Sequence, residues 1–275
     1  MPRQIVMSPP SHLKQVTLES LKSLYIEMMR DDIVLSCATG FVCEDYSGAP
    51  ALITNWHNLA GRDIQTRDCL APSLAVPNRI RICHNSAKGI GAFISVTESL
   101  LDPNDFPVWR EHPQWGSQID MVALPLTRLE GVKLYQYDVT AQPQFRVGAG
   151  DRINVIGFPF GLRVAESFAV WATGYVASEP EFDVDQKPQF YIDCRARQGQ
   201  SGSPVIAHRP DGIVGEQDGE TFLARVKPQL LGIYSGRLNK DSDIGVVWKK
   251  SAIYELLGYP MFKWPDTNVT HGPRP

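Results

Sequence analysis

The sequence is poor in the features that mark several classes of protein. No stretch approaches the roughly 20 uninterrupted apolar residues that a transmembrane helix requires, and the first ten residues hold no apolar segment of signal-peptide length. Cysteine is scarce and irregular: Cys37, Cys43, Cys69, Cys83 and Cys194 are odd in number and include no Cys-x-x-Cys pair. That pattern argues against a disulfide framework and against a zinc site. Reduced, mostly buried thiols in a cytoplasmic protein are expected instead. Charge of one sign is missing too. With 27 Lys+Arg against 30 Asp+Glu, the net charge of −3 offers no basic field for nucleic acid. Neither a nucleic acid nor a membrane is expected as a partner, and no metal or organic cofactor is implied. Internal repeats and low-complexity tracts are absent.

What remains is a chain of 275 residues, 43% hydrophobic and 21% charged, enough for one large core or two modest ones. From Thr17 the spacing of Leu18, Leu21, Leu24, Tyr25 and Met28 predicts a helix over 17–28, with Thr17 at the N-cap. Short strands separated by Gly/Pro/Asp turns follow, at 34–42, 51–55, 79–83, 91–96, 121–126, 152–158, 168–176, 189–193, 203–207, 230–235 and 245–248. Without intervening helices they indicate an all-β barrel or sandwich arrangement. A final helix is expected over 249–257, stopped by Gly258. Residues 103–117 and 209–227 read as long loops, the second a mobile excursion, and the first dozen residues and the 265–275 tail as irregular.

Three segments carry chemistry. In Gly199-Gln200-Ser201-Gly202-Ser203-Pro204 two glycines bracket a serine before the apolar strand Val205-Ile206-Ala207. Alone this is commonly only a turn, but the glycines allow the N–H groups of Gly199 and Ser201 to converge on one point. A serine hydroxyl needs a base within hydrogen-bond reach. Of the six histidines, His12 and His271 lie in tails, and His84, His112 and His208 at strand ends or in loops. His57 ends the strand Ala51-Leu52-Ile53 through Thr54-Asn55-Trp56, well placed to face a cleft. A buried carboxylate would hold that imidazole in one tautomer. Asp120 opens the apolar run Met121-Val122-Ala123-Leu124, where its charge is costly to desolvate unless paired.

The chain order His57, Asp120, Ser201 is that of chymotrypsin-type barrels. The segments resemble the trypsin-like (chymotrypsin-fold) serine peptidases over about residues 34–257. Leu52-Ile53-Thr54-Asn55-Trp56-His57, Val155-Ile156-Gly157-Phe158-Pro159-Phe160-Gly161 and Thr173-Gly174-Tyr175-Val176 are especially similar to the bacterial high-temperature-requirement branch, without its appended peptide-binding domain. The resemblance implies two six-stranded antiparallel barrels with N- and C-terminal helices. It divides the chain into an extension over 1–32, barrels over 33–130 and 131–248, and a helix with tail over 249–275. It also implies a His57/Asp120/Ser201 triad in the crevice, an oxyanion hole from Gly199 and Ser201, and Ser235 bonded to Asp120 on a strand that pairs with the polypeptide substrate through Ser235 and Gly236. Gln200 stands where zymogen-activated members carry an aspartate, so activation by N-terminal cleavage is not expected.

For the specificity pocket the resemblance implies, by register with the trypsin-like peptidases, Arg195 at the base and Arg237 and Gly245 at the walls. Arginines there would disfavour basic side chains and favour Glu or Asp; turned to solvent, they would leave a small apolar pocket. The leading reading is a serine endopeptidase. A catalytically silent relative that binds peptides in the same cleft is the rival, and the 17–28 helix is the candidate surface for a regulatory partner.

Overall fold

The computed structural model describes residues 16–217, 220–224, 226–239 and 241–260. The expectations for the first dozen residues, for the 265–275 tail, and for His12 and His271 lie outside them. A single helical turn, α1 (Glu19–Lys22), leads into β1 (Ser23–Arg30), β2 (Ile33–Glu44) and β3 (Pro50–Thr54). After the short helix α2 (Trp56–Ala60) come β4 (Arg79–Asn85), β5 (Phe93–Ser99), β6 (Val122–Pro125) and β7 (Gln136–Tyr137). These strands form one sheet in the order β5-β4-β1-β2-β3-β6, with β7 added in parallel to β2.

The helix predicted over 17–28 is therefore a correction: past one turn it is a strand. Leu24 and Met28, four residues apart, suit either period, but Ile26 between them is also buried, so the apolar period is two. β1 sits mid-sheet and is paired on both sides, with β2 and β4. No helix runs over 17–28 to offer the expected face for a regulatory partner: Leu24 and Met28 lie in the first core, Tyr25 packs at the seam, and Leu18 is exposed. The first sheet starts at Ser23, inside what was read as an extension, and reaches past residue 130 through β7.

The second half closes fully. β8 (Arg152–Gly157), β9 (Val170–Val176), β10 (Gln189–Asp193) and β11 (Pro204–Ala207) join two later strands in a six-stranded barrel. Before those two, residues 209–227 carry a hairpin, β12 (Ile213–Gln217) and β13 (Glu220–Ala224), where only a loop was expected. The barrel is completed by β14 (Gln229–Arg237) and β15 (Ile244–Lys249), in the order β10-β15-β14-β11-β8-β9, and α3 (Lys250–Leu256) follows. All five cysteines are unpaired.

The first sheet, expected as a second closed barrel, stops short of closure: β5 and β6 do not pair as strands. The gap is spanned by chain between them, where Val108 N–H donates to Leu100 O at 3.0 Å and Arg110 exchanges backbone bonds with Ala123. It is also spanned by one side chain. The buried Glu98 carboxylate of β5 accepts Thr127 N–H (2.8 Å), Thr127 Oγ1–H (2.7 Å) and Arg128 N–H (2.9 Å) just beyond β6.

Each half has its own apolar cluster. A third lies between them, with Phe41 and Ile53 facing Phe158, Ile233 and Trp248 and with α3 sealing one end. Thr39, fully buried in β2, holds that seam: its N–H donates to Ser201 O (3.0 Å), its Oγ1 donates to Gly199 O (2.8 Å) and accepts Phe158 N–H (3.1 Å). Gly202, at φ +85°, packs so tightly there that a Cβ would stand 2.0 Å from Thr39 O.

Glu98→Ala is expected to lower stability by about 2 kcal/mol, because two backbone donors lose their acceptor. Urea unfolding measures it, and a change of less than about 0.5 kcal/mol would contradict the closure assigned to this side chain.

Candidate active site

The site is built where α2, the segment before β6 and the end of β14 meet at the seam. β3 delivers the chain to Asn55, which precedes α2 in extended conformation, and Gly61 ends the helix in the left-handed region at φ +62°. His57 thus sits in the first turn of α2. Its backbone N–H donates to Asp120 Oδ1 (3.0 Å) and its Nδ1 to Asp120 Oδ2 (2.7 Å). Asn55 Nδ2 donates to Asp120 O (2.6 Å), and Ser235 Oγ donates to Asp120 Oδ2. Asp120 is 2% exposed, so its charge is tolerable only because these donors replace water.

Burial alone would push the Asp120 carboxyl up and the His57 imidazole down. Their mutual attraction and hydrogen bonds win, holding Asp120 below the usual carboxylate range and raising His57, with a lesser push from Asp63. The ion pair is the stabilised state. Its contribution from His57 is complete below about pH 6.5, the ordinary histidine value, and is lost as pH rises through the raised folded value. The contribution from Asp120 is present above the ordinary carboxylate value and is lost as pH falls through the depressed one.

Ser201 lies on the loop between β10 and β11, with Gly199 at φ +92°. Gln200 is buried and closes this loop on itself, accepting Arg197 N–H on Oε1 (2.7 Å) and donating its own N–H to Arg197 O (3.1 Å). Ser201 Oγ donates to Ser235 O (3.1 Å), and no hydrogen bond joins it to His57. Among the described residues, no protein acceptor takes the N–H groups of Gly199 and Ser201.

Of the two placements considered for the arginines, the structure has the solvent-facing one. Arg195 does not line a pocket base: its side chain is 85% exposed and lies 3.8 Å from Asp243. Cys194 and Ala196 on either side of it point inward and claim the core positions of that stretch. Arg237 is exposed as well. Gly245 is buried against the Tyr234 ring, whose Cε2 a Cβ would meet at 2.7 Å. Tyr234, unremarked in the sequence, is 2% exposed and shares the core with Ile192, Cys194 and Ala196. Arg197 and Asp243, paired at 3.3 Å, also went unforeseen, as did Thr39 and the donor role of Asn55. The one local signal for any of these was Asn55, wedged between a strand and the histidine.

Two β-barrel halves with this cleft at their seam have the fold of the trypsin-like serine peptidases. Rv3671c of M. tuberculosis, in an inactive serine-to-alanine form, aligns over 87% of this chain and 86% of its own with a TM-score of 0.50 at 15% identity. Its active form aligns over 90% and 84% with a TM-score of 0.48 at 16% identity. The serine endoprotease from Yersinia pestis covers 88% of this chain and 67% of its own, with a TM-score of 0.46 at 12% identity. At such identities the likeness is one of fold. No protein-family model and no curated protein matches the chain.

Asp120→Asn removes the charge that does most to hold the His57 pKa up, leaving burial opposed only by the weaker push of Asp63. The imidazole should then titrate at lower pH than in the unaltered protein, as read by NMR of the ring protons. An unchanged midpoint would contradict the pairing.

Proposed function

We propose that this protein is a serine endopeptidase in which Ser201 is the nucleophile, His57 the general base and Asp120 its orienting partner. The observation that carries the reading is the Asp120 carboxylate, buried and bonded to the backbone N–H and ring Nδ1 of His57 and to Ser235, beside a serine whose loop leaves two backbone N–H groups unclaimed. The step requires Ser201 Oγ to leave Ser235 O and reach His57 Nε2 by rotation about χ1. His57 accepts the hydroxyl proton as Oγ bonds to the scissile carbonyl carbon, and the oxyanion forms against Gly199 N–H and Ser201 N–H. The imidazolium then protonates the leaving amine as the C–N bond breaks, and water hydrolyses the acyl-enzyme by the reverse sequence.

The substrate backbone is proposed to add as a strand along residues 235–237, which extend past the pairing with β11. Gly236 leaves room for it: a Cβ there would meet no atom within 4 Å. With the Tyr234 ring packed under this strand, small apolar side chains suit the position before the cleaved bond better than acidic or basic ones. Five unpaired thiols suit a reducing compartment such as the cytoplasm.

The Ser201–Ser235 O hydrogen bond favours a second reading, a peptide-binding cleft without turnover. A fluorophosphonate probe separates the two. The peptidase reading expects labelling of the unaltered protein that increases as pH rises through the His57 pKa, and none in Ser201→Ala or His57→Ala. No labelling of the unaltered protein across pH 5–9 would favour the silent binder. A peptide library checks the pocket, and efficient cleavage after Lys or Arg would contradict the role given to Tyr234.

A further inference from the structure

Residues 55, 56 and 57 each reach the same stretch of chain, 111–120. Asn55 and His57 hold Asp120 itself, whereas the Trp56 indole Nε1–H donates to Glu111 Oε1 at 2.8 Å. Trp56 is 8% exposed, so its N–H has little water to turn to. Arg67, from the loop after α2, lies with its guanidinium 4.5 Å from the centre of the Trp56 ring. Its Nη2 donates to Ser117 O (3.2 Å) and Ser117 Oγ (3.1 Å). Arg67 has φ +65°, a left-handed conformation that a non-glycine residue holds only where its surroundings fix it. Just before the 111–120 stretch, Arg110 anchors the chain by donating from Nη2 to Asp45 Oδ2 at 2.8 Å.

We infer that Trp56 and Glu111, braced by Arg67 and Ser117, are positioning residues that hold the His57 imidazole on the Asp120 carboxylate. The need for them is local. α2 has five residues and no side-chain N-cap bond, too short to keep its own orientation. The Asn55 side-chain and His57 backbone bonds to Asp120 hold the entry to the turn, and the single ring bond from Nδ1 leaves the imidazole free to pivot about it. A further tie, from Trp56 to the chain that ends in Asp120, fixes the rotation of the helical turn. Neither Trp56 nor Glu111 reaches the Ser201 hydroxyl, so both act through His57. The role rests on the peptidase reading above. The charged groups around the imidazole are Asp120, bonded to it, and Asp63, with Arg67 and Glu111 grouped about Trp56.

The test compares Trp56→Phe, which keeps the stacked ring and loses the donor, with Glu111→Ala and Glu111→Gln, the last retaining an acceptor oxygen. Each is followed by its fluorophosphonate labelling rate, by NMR titration of His57 and by thermal unfolding. Trp56→Phe and Glu111→Ala should label about tenfold more slowly, as expected for a displaced reacting group. Their His57 midpoints should lie below that of the unaltered protein, and Glu111→Gln should stay near it in both readouts. Loss of thermal stability with unchanged labelling and titration would overturn the inference, as would equal slowing in Glu111→Gln and Glu111→Ala. If the unaltered protein takes no label, the peptidase reading fails, and the His57 titration alone still decides whether the tie positions the ring.

Discussion

One buried carboxylate joins the three parts of the chain that make the cleft. Asp120 receives the His57 backbone and ring from α2 and the Ser235 hydroxyl from the second barrel, while its own segment runs on into β6. An isolated carboxylate at that depth would carry a desolvation penalty of several kcal/mol. Its three donors come from elements more than 60 residues away on either side, so the charge is tolerated only if both halves are folded and docked. The same bonds that make burial possible also fix which way the imidazole faces.

Around that carboxylate the fold supplies stiffness. Thr39 bonds the Ser201 loop from the first sheet, and Gly202 lies too close to Thr39 O for any other residue. Gln200 clasps the loop from within through Arg197. The conformation of residues 197–203 is therefore set by the docking of one half against the other, and two backbone donors have no acceptor among the described residues. The first sheet, left open between β5 and β6, relies on the Glu98 side chain where the second barrel relies on strand pairing.

Much of this was legible in the sequence because it rests on local signals. Short strands with Gly and Pro turns, a histidine at a strand end, an aspartate opening an apolar run and a serine between glycines are each marked within a few residues. What escaped depended on partners distant in the chain. β1 carries Leu24 and Met28 at helical spacing, and only its pairing with β2 and β4 turns that stretch into a strand. Arg195 alternates with the buried Cys194 and Ala196, so it faces outward, a strand-like alternation that decides between the two placements register counting left open. Glu111 lies in a loop with no pattern of its own, and its partner Trp56 is 55 residues away. The 209–227 stretch is charged and glycine-containing, a texture that concealed the β12/β13 hairpin.

The account stands on Ser201 being activated by the pair beside it. Stopped-flow mixing of the protein with an activated ester measures this directly. A burst of leaving group equal to one equivalent per chain, followed by slower turnover and abolished in Ser201→Ala, is the predicted result. Linear release without a burst, or a burst that survives loss of the Ser201 hydroxyl, would contradict it.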